Sequence, residues 1–132
     1  MLRAPIRAQK HITFTMNNDL FRQTAILQCY KSAYKQRMGA VVVYKGRMVG
    51  KGFNKVHHTG VPRLDGLHAE IEALNNTTAQ YRDGCTVYVC RTNKSGNIVL
   101  ARPCSACEKK MRKIGVKYVW YSTYGDWEKM TL

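Results

Sequence analysis

Long apolar runs are missing from this chain. No stretch of its 132 residues approaches the roughly 20 apolar residues needed to span a bilayer, so no membrane partner is expected. Acidic residues are scarce as well, with 8 Asp and Glu against 22 Lys and Arg and a net charge of +14. That imbalance favours contact with phosphate, in nucleotides or in nucleic acid, and says nothing about fold. The five cysteines are too few and odd in number for a disulfide framework, and no apolar secretory leader precedes them. A reducing, cytoplasmic compartment is the expectation. Internal repeats and low-complexity tracts are also lacking. What remains is 45% hydrophobic residues in a length that suits one domain able to bury a core without staples.

Taken in order, residues 1–17 read as a basic arm. It carries Arg3, Arg7 and Lys10, no acid, and Pro5 to discourage an early helix. Ile12-Thr13-Phe14 is the one part of it suited to a short edge strand. The folded domain is expected over 18–132. Asn18 caps a helix reaching about Arg37, with Leu20, Leu27 and Tyr34 as its seven-residue apolar stripe. Met38–Tyr44 is a β-branched strand, Lys45-Gly46 a hairpin turn, and Arg47–Gly52 the returning strand, which Phe53-Asn54 ends. A long loop to Gly66 follows, holding His57, His58, Pro62 and Arg63. Loops of this length in compact domains usually bind something. Helix Leu67–Thr77, strand Cys85–Arg91, a polar loop over 92–100, helix Cys104–Ile114 and strand Lys117–Tyr121 complete the pattern. A turn at Tyr124-Gly125-Asp126 then sends Trp127–Leu132 back antiparallel. Strand–helix–strand units of this kind give an α/β fold, a mixed sheet with helices on its faces.

Two short stretches carry the chemistry, His68-Ala69-Glu70 and Pro103-Cys104-Ser105-Ala106-Cys107. One imidazole and two thiolates make three ligands, which leaves the fourth tetrahedral position of Zn²⁺ open, as in a catalytic rather than a structural site. Ligands at helix N-termini gain from the dipole and the free N–H groups. Glu70, two residues past His68, is near such a metal and free to handle protons; the plainer reading is a surface carboxylate. Cys29, Cys85 and Cys90 read as core thiols, the alternative being that Cys85 or Cys90 closes the metal site. His57 and His58 read as solvated loop residues rather than a second metal site.

His-x-Glu followed by Pro-Cys-x-x-Cys resembles the signature of zinc-dependent deaminases. With Gly39-Ala40-Val41, Gly52-Phe53-Asn54, Val87-Tyr88-Val89 and Gly115-Val116, the chain from about Leu20 onward is similar to the cytidine deaminase superfamily, most of all to deoxycytidylate deaminase-like proteins of phages and viruses. The resemblance implies a three-layer α/β/α fold with a mixed five-stranded sheet and helices on both faces. It implies Zn²⁺ held by His68, Cys104 and Cys107, and Glu70 shuttling protons as cytosine becomes uracil and ammonia leaves. Asn54 would meet the sugar and the Ala69 N–H the pyrimidine. The substrate would be a small pyrimidine nucleotide or nucleoside, the assembly a homo-oligomer, and the compartment, for a viral protein, the host cytoplasm. Two departures concern substrate: Arg102 stands where deoxycytidylate enzymes usually carry serine, and the Tyr124-Gly125-Asp126 turn resembles the C-terminal hairpin of the nucleoside enzymes. Arg102 and Arg63 are candidates for a substrate phosphate. The competing functions are a deaminase of cytosine or adenine in single-stranded DNA or RNA, and a non-enzymatic zinc module. Tyr121, Tyr124 and Trp127 would stack bases in the former, although hairpin packing is the plainer reading.

Overall fold

A computed structural model describes residues 19–34, 36–55 and 68–132. The basic arm, Asn18, and the loop carrying His57, His58 and Arg63 lie outside the described residues. Helix α1 covers residues 19–29. It is followed by strands β1 (Arg37–Tyr44) and β2 (Arg47–Phe53), helix α2 (Ala69–Asn75), a short 3₁₀ turn (Ala79–Tyr81) and strands β3 (Thr86–Thr92) and β4 (Ile98–Val99). Helix α3 (Ser105–Ile114) and strands β5 (Tyr118–Ser122) and β6 (Trp127–Thr131) complete the chain.

The sheet runs β2-β1-β3-β5-β6, with β4 paired to β3 off this path. The β1–β2, β1–β3 and β5–β6 pairs are antiparallel and the β3–β5 pair is parallel, so the sheet is mixed. A parallel pair needs a crossover connection, and α3 supplies it. Side chains alternate across the sheet. Ala40, Val42, Val87, Val89, Val119 and Tyr121 pack with Ala73, Leu74, Cys107 and Met111 of α2 and α3. Val41, Val43, Tyr88 and Cys90 pack instead with Phe21, Ala25 and Cys29 of α1. The three layers follow, one helix on one face and two on the other. The expected five strands are present, and β4 is a sixth, two residues long, inside what reads as a polar loop. A side-chain cap explains it: Asn93 Oδ1 accepts from the N–H groups of Ser95 and Asn97, folding residues 93–97 into a turn that returns Ile98-Val99 to β3.

The first helix departs from its expected length and phase. It stops at residue 29 rather than near Arg37. The Ser32 hydroxyl donates to the Asn54 carbonyl at 3.0 Å and accepts from the Tyr34 N–H, so it competes with helical bonding and pulls the chain toward the end of β2. Leu20, Leu27 and Tyr30 are exposed, while Phe21, Ala25 and Cys29 are buried. Gly39 sets this phase. A Cβ there would meet the Ala25 carbonyl, the Cys29 nitrogen and the Gln28 Cβ, so α1 rests directly on the β1 backbone and only small residues fit between. Gly52 does the same for α2, where a Cβ would meet the backbone of Ala73.

Turn chemistry agrees with the sequence. Lys45 (φ 47°) and Gly46 (φ 79°) both adopt positive φ, the pattern of a type I′ hairpin turn whose twist matches the flanking strands. Gly115 (φ 107°, ψ 15°) ends α3 in the left-handed region, and the Val116 N–H returns to the Met111 carbonyl at 3.0 Å. Among the described residues, no helix is long and apolar enough to cross a membrane.

Candidate active site

His68 and Cys104 are the residues immediately before α2 and α3, both extended: φ −70°, ψ 141° and φ −67°, ψ 163°. An extended N-cap projects its side chain over the helix start, so two N-caps brought together make a cluster. Cys104 Sγ accepts from the Cys107 N–H at 3.4 Å, as a capping oxygen would, which fixes one thiol against the other. The approach to α3 is pinned to β5. The Ala101 N–H donates to the Ser122 carbonyl at 2.8 Å, and the Ser122 hydroxyl donates to the Val99 carbonyl at 2.7 Å. Pro103 then enters the helix with its φ preset.

The result is a group of three donors. His68 Nδ1 lies 2.9 Å from Cys107 Sγ and 4.0 Å from Cys104 Sγ, and all three ligand atoms are within 4.8 Å of one another. The edge of a tetrahedral zinc site is roughly 3.6 Å, given ligand bonds of about 2.0–2.3 Å, and the two His68 separations bracket it. Among the described residues this is the one group of three or more His, Cys, Asp or Glu able to hold a metal ion. Cys29, Cys85 and Cys90 are buried in the core instead; Cys29 Sγ donates to the Cys90 carbonyl at 3.3 Å.

Glu70 belongs to the same place. It is only 1% exposed, and its Oε1 is buried with no hydrogen-bond partner. Burial pushes its carboxyl above the usual range, offset in part by its own backbone N–H and by His68. Burial also pushes the Cys107 thiol up, with the Glu70 charge and the Cys104 thiol adding to the rise. Two thiols and a carboxyl whose charges oppose one another are a poor arrangement for a protein core, and a divalent cation among them reverses that balance. The donor set, its separations and the orphaned carboxylate oxygen therefore fit zinc.

The other expected site residues are placed as follows. Ala69 is the first residue of α2 and fully buried. Its N–H falls in the first turn, where helices have no internal acceptors. Asn54 is tied at both ends of its amide: Oδ1 accepts from the Met38 N–H at 2.8 Å and Nδ2 donates to the Gln36 carbonyl at 2.9 Å. It secures the start of β1, and one amide hydrogen and one lone pair remain for a ligand. Beside it, Lys55 pairs with the largely buried Glu72 at 2.8 Å, joining the end of β2 to α2. Arg102 is exposed and lines an open pocket of about 300 Å³. Arg63 lies outside the described residues. Of the three C-terminal aromatics, Tyr121 is buried and donates to Glu128 at 2.8 Å, and Trp127 packs near Tyr88, as hairpin packing requires. Tyr124 departs from that reading; it is 77% exposed and lines the Arg102 pocket.

Residues 16–123 match the family described as the cytidine and deoxycytidylate deaminase zinc-binding region. No curated protein sequence matches the chain. Among solved structures it is similar to the apo form of the dCMP deaminase from cyanophage S-TIM5, with 27% identity, a TM-score of 0.58, and 78% of this chain and 79% of that one covered. Its fold is also shared with cytidine deaminase from Burkholderia pseudomallei, at 22% identity and a TM-score of 0.67, over 86% of this chain and 91% of that one. RibD from Acinetobacter baumannii matches at 24% identity and a TM-score of 0.58, over 80% of this chain but only 28% of RibD. With the ligand geometry already in place, the chain belongs to the cytidine and deoxycytidylate deaminase family. Its cofactor is Zn²⁺, and its general chemistry is zinc-dependent deamination of cytosine.

Proposed function

We propose that the protein hydrolyses the amino group from the cytosine of a small phosphorylated pyrimidine, deoxycytidylate or a near relative, giving the uracil product and ammonia. His68, Cys104 and Cys107 hold the metal and Glu70 moves the protons. The observation that carries this reading is the buried, partnerless oxygen of Glu70 beside the three donors. Zinc held by these three ligands would lower the pKa of a water from 15.7 toward roughly 7 and so would supply a nucleophile at neutral pH. Glu70 would carry the first proton of the attacking water to the ring nitrogen, where it stays in the uracil product, and would then pass the second, from the hydroxyl added to C4, to the amine, which leaves as ammonia. Burial raises the pKa of Glu70, which makes it a better proton acceptor than an exposed carboxylate. The Ala69 N–H orients the pyrimidine, Asn54 meets the sugar with its remaining hydrogen-bonding capacity, and Arg102 meets the phosphate, with Arg63 as a second cation.

The rival reading, a polynucleotide deaminase, draws on the net charge of +14 and on exposed Tyr124. A stacking groove wants several exposed rings, and Tyr121 and Trp127 are committed to packing. Salt separates the two readings, because polynucleotide affinity falls steeply as salt rises whereas a mononucleotide with few phosphate contacts responds weakly. The expected result is turnover of deoxycytidylate that changes little between low and high salt, with weak turnover of a cytosine-bearing oligonucleotide. Activity confined to the oligonucleotide, and collapsing with salt, would overturn the proposal.

A further inference from the structure

We propose that Arg91, held in place by Gln36, is a further anchor that joins Arg102 in seating the substrate's phosphate in the pocket the two residues line. The inference rests on the mononucleotide reading above and deepens it. Gln36, Arg91, Asn93, Arg102 and Tyr124 contribute to the pocket wall. Two guanidinium groups in one small pocket repel each other unless something anionic lies between them. Among the described residues the ion pairs are Arg22–Asp19, Lys55–Glu72 and Arg112–Glu108, and neither Arg91 nor Arg102 appears in them. Glu128 accepts the Tyr121 hydroxyl instead. Neither guanidinium is neutralised by an ion pair among the described residues, although Arg102 also reaches the Tyr121 hydroxyl.

Arg91 is also oriented rather than loose. Its Nε donates to Gln36 Oε1 at 2.7 Å, and its backbone N–H donates to the Ser122 hydroxyl. Fixing a guanidinium through Nε leaves its terminal nitrogens for a phosphate, and a pre-oriented fork loses less entropy on binding. Gln36 in turn is tied to Asn54, whose Nδ2 donates to the Gln36 carbonyl. The residue assigned to the sugar and the residue that aims Arg91 are thus neighbours through one hydrogen bond. From the other side, Arg102 precedes the metal ligand Cys104 by two residues. The pocket is thus linked to the sugar residue through Gln36 and to the metal stretch through Arg102, which is the side on which a nucleotide bound at both would carry its phosphate. At about 300 Å³ the pocket holds a phosphate and part of a sugar, and stands at the low end of small-molecule sites.

The test is calorimetric binding of deoxyuridylate and deoxyuridine, which share a base and sugar and differ in the phosphate. The wild-type protein is expected to bind deoxyuridylate at least a hundredfold more tightly. Arg91→Met should narrow that gap by roughly ten- to a hundredfold, the worth of charge-assisted hydrogen bonds, with deoxyuridine affinity unchanged. Arg91→Lys should recover part of the loss, and Gln36→Leu should reproduce a smaller share of it. Equal affinity for the two ligands in the wild type, an unchanged gap in Arg91→Met, or equal loss of deoxyuridine binding in that variant would each overturn the inference. Should the affinity gap stand while the wild-type protein releases no ammonia from deoxycytidylate, the proposed reaction fails and the phosphate seat survives.

Discussion

Glu70→Gln is expected to fold, to keep its zinc, and to lose turnover by about 10²–10⁴-fold, the usual worth of a general acid–base group. Glutamine preserves the shape and the polar end of the side chain but cannot carry the proton. The same substitution should act in the opposite direction on stability. Burial favours the uncharged form of Glu70 in the folded state, so its folded pKa lies above its unfolded one. A group of that kind contributes its full stability below the unfolded pKa and loses it as pH rises through the folded value. Glutamine suffers no such loss. In metal-free protein, Glu70→Gln should therefore melt at a higher temperature than wild type near pH 8, with the difference shrinking toward pH 4. Near-native turnover in the variant would remove Glu70 from the mechanism, and a lower melting temperature at pH 8 would contradict the burial argument.

Loss of a thiolate ligand should have the second large effect. Cys107 is buried and 2.9 Å from His68 Nδ1, so Cys107→Ala removes the ligand that the protein encloses most fully. Changes merely behind a ligand cost about 10–100-fold in metal affinity, and removal of the ligand itself should cost more. Zinc content should fall from one per chain to a small fraction, and activity with it. Cys104 needs a finer probe, because its sulfur also caps α3 by accepting from the Cys107 N–H. Cys104→Ala removes both roles, and the cap alone is worth about 1 kcal/mol. Cys104→Ser keeps a good capping oxygen and removes only the thiolate. The two variants should lose zinc alike, while the serine variant melts higher when metal-free. Full zinc retention in Cys107→Ala or Cys104→Ser would sink the ligand assignment.

The parts of this structure that local chemistry dictates were readable in the sequence. Lys45-Gly46 supplies its own turn geometry, Gly115 its own helix stop, and the two metal stretches stand at helix starts, where Cys104 also caps α3. The unreadable parts depend on residues far apart in the chain. The heptad Leu20, Leu27, Tyr34 looks like the buried stripe of α1, yet Gly39 demands a face of small residues and turns Leu20 and Leu27 outward, while Tyr34 falls beyond the end of the helix. Asn54 reads as a strand-ending residue with a ligand role, and only the fold reveals that its amide already serves Met38 and Gln36. Arg91 carries no signal at all in a strand rich in valine. Its meaning comes from Gln36 and Arg102, which the sheet brings to it from opposite directions along the chain.

The most direct test of the account is a zinc titration of metal-stripped wild-type protein, with bound zinc and ammonia release from deoxycytidylate followed in the same samples. The predicted result is ammonia release that is absent without metal, rises in proportion to bound zinc and levels off at one zinc per chain. Full activity in the stripped protein, or saturation with zinc and no ammonia from any cytosine nucleotide or nucleoside, would contradict it.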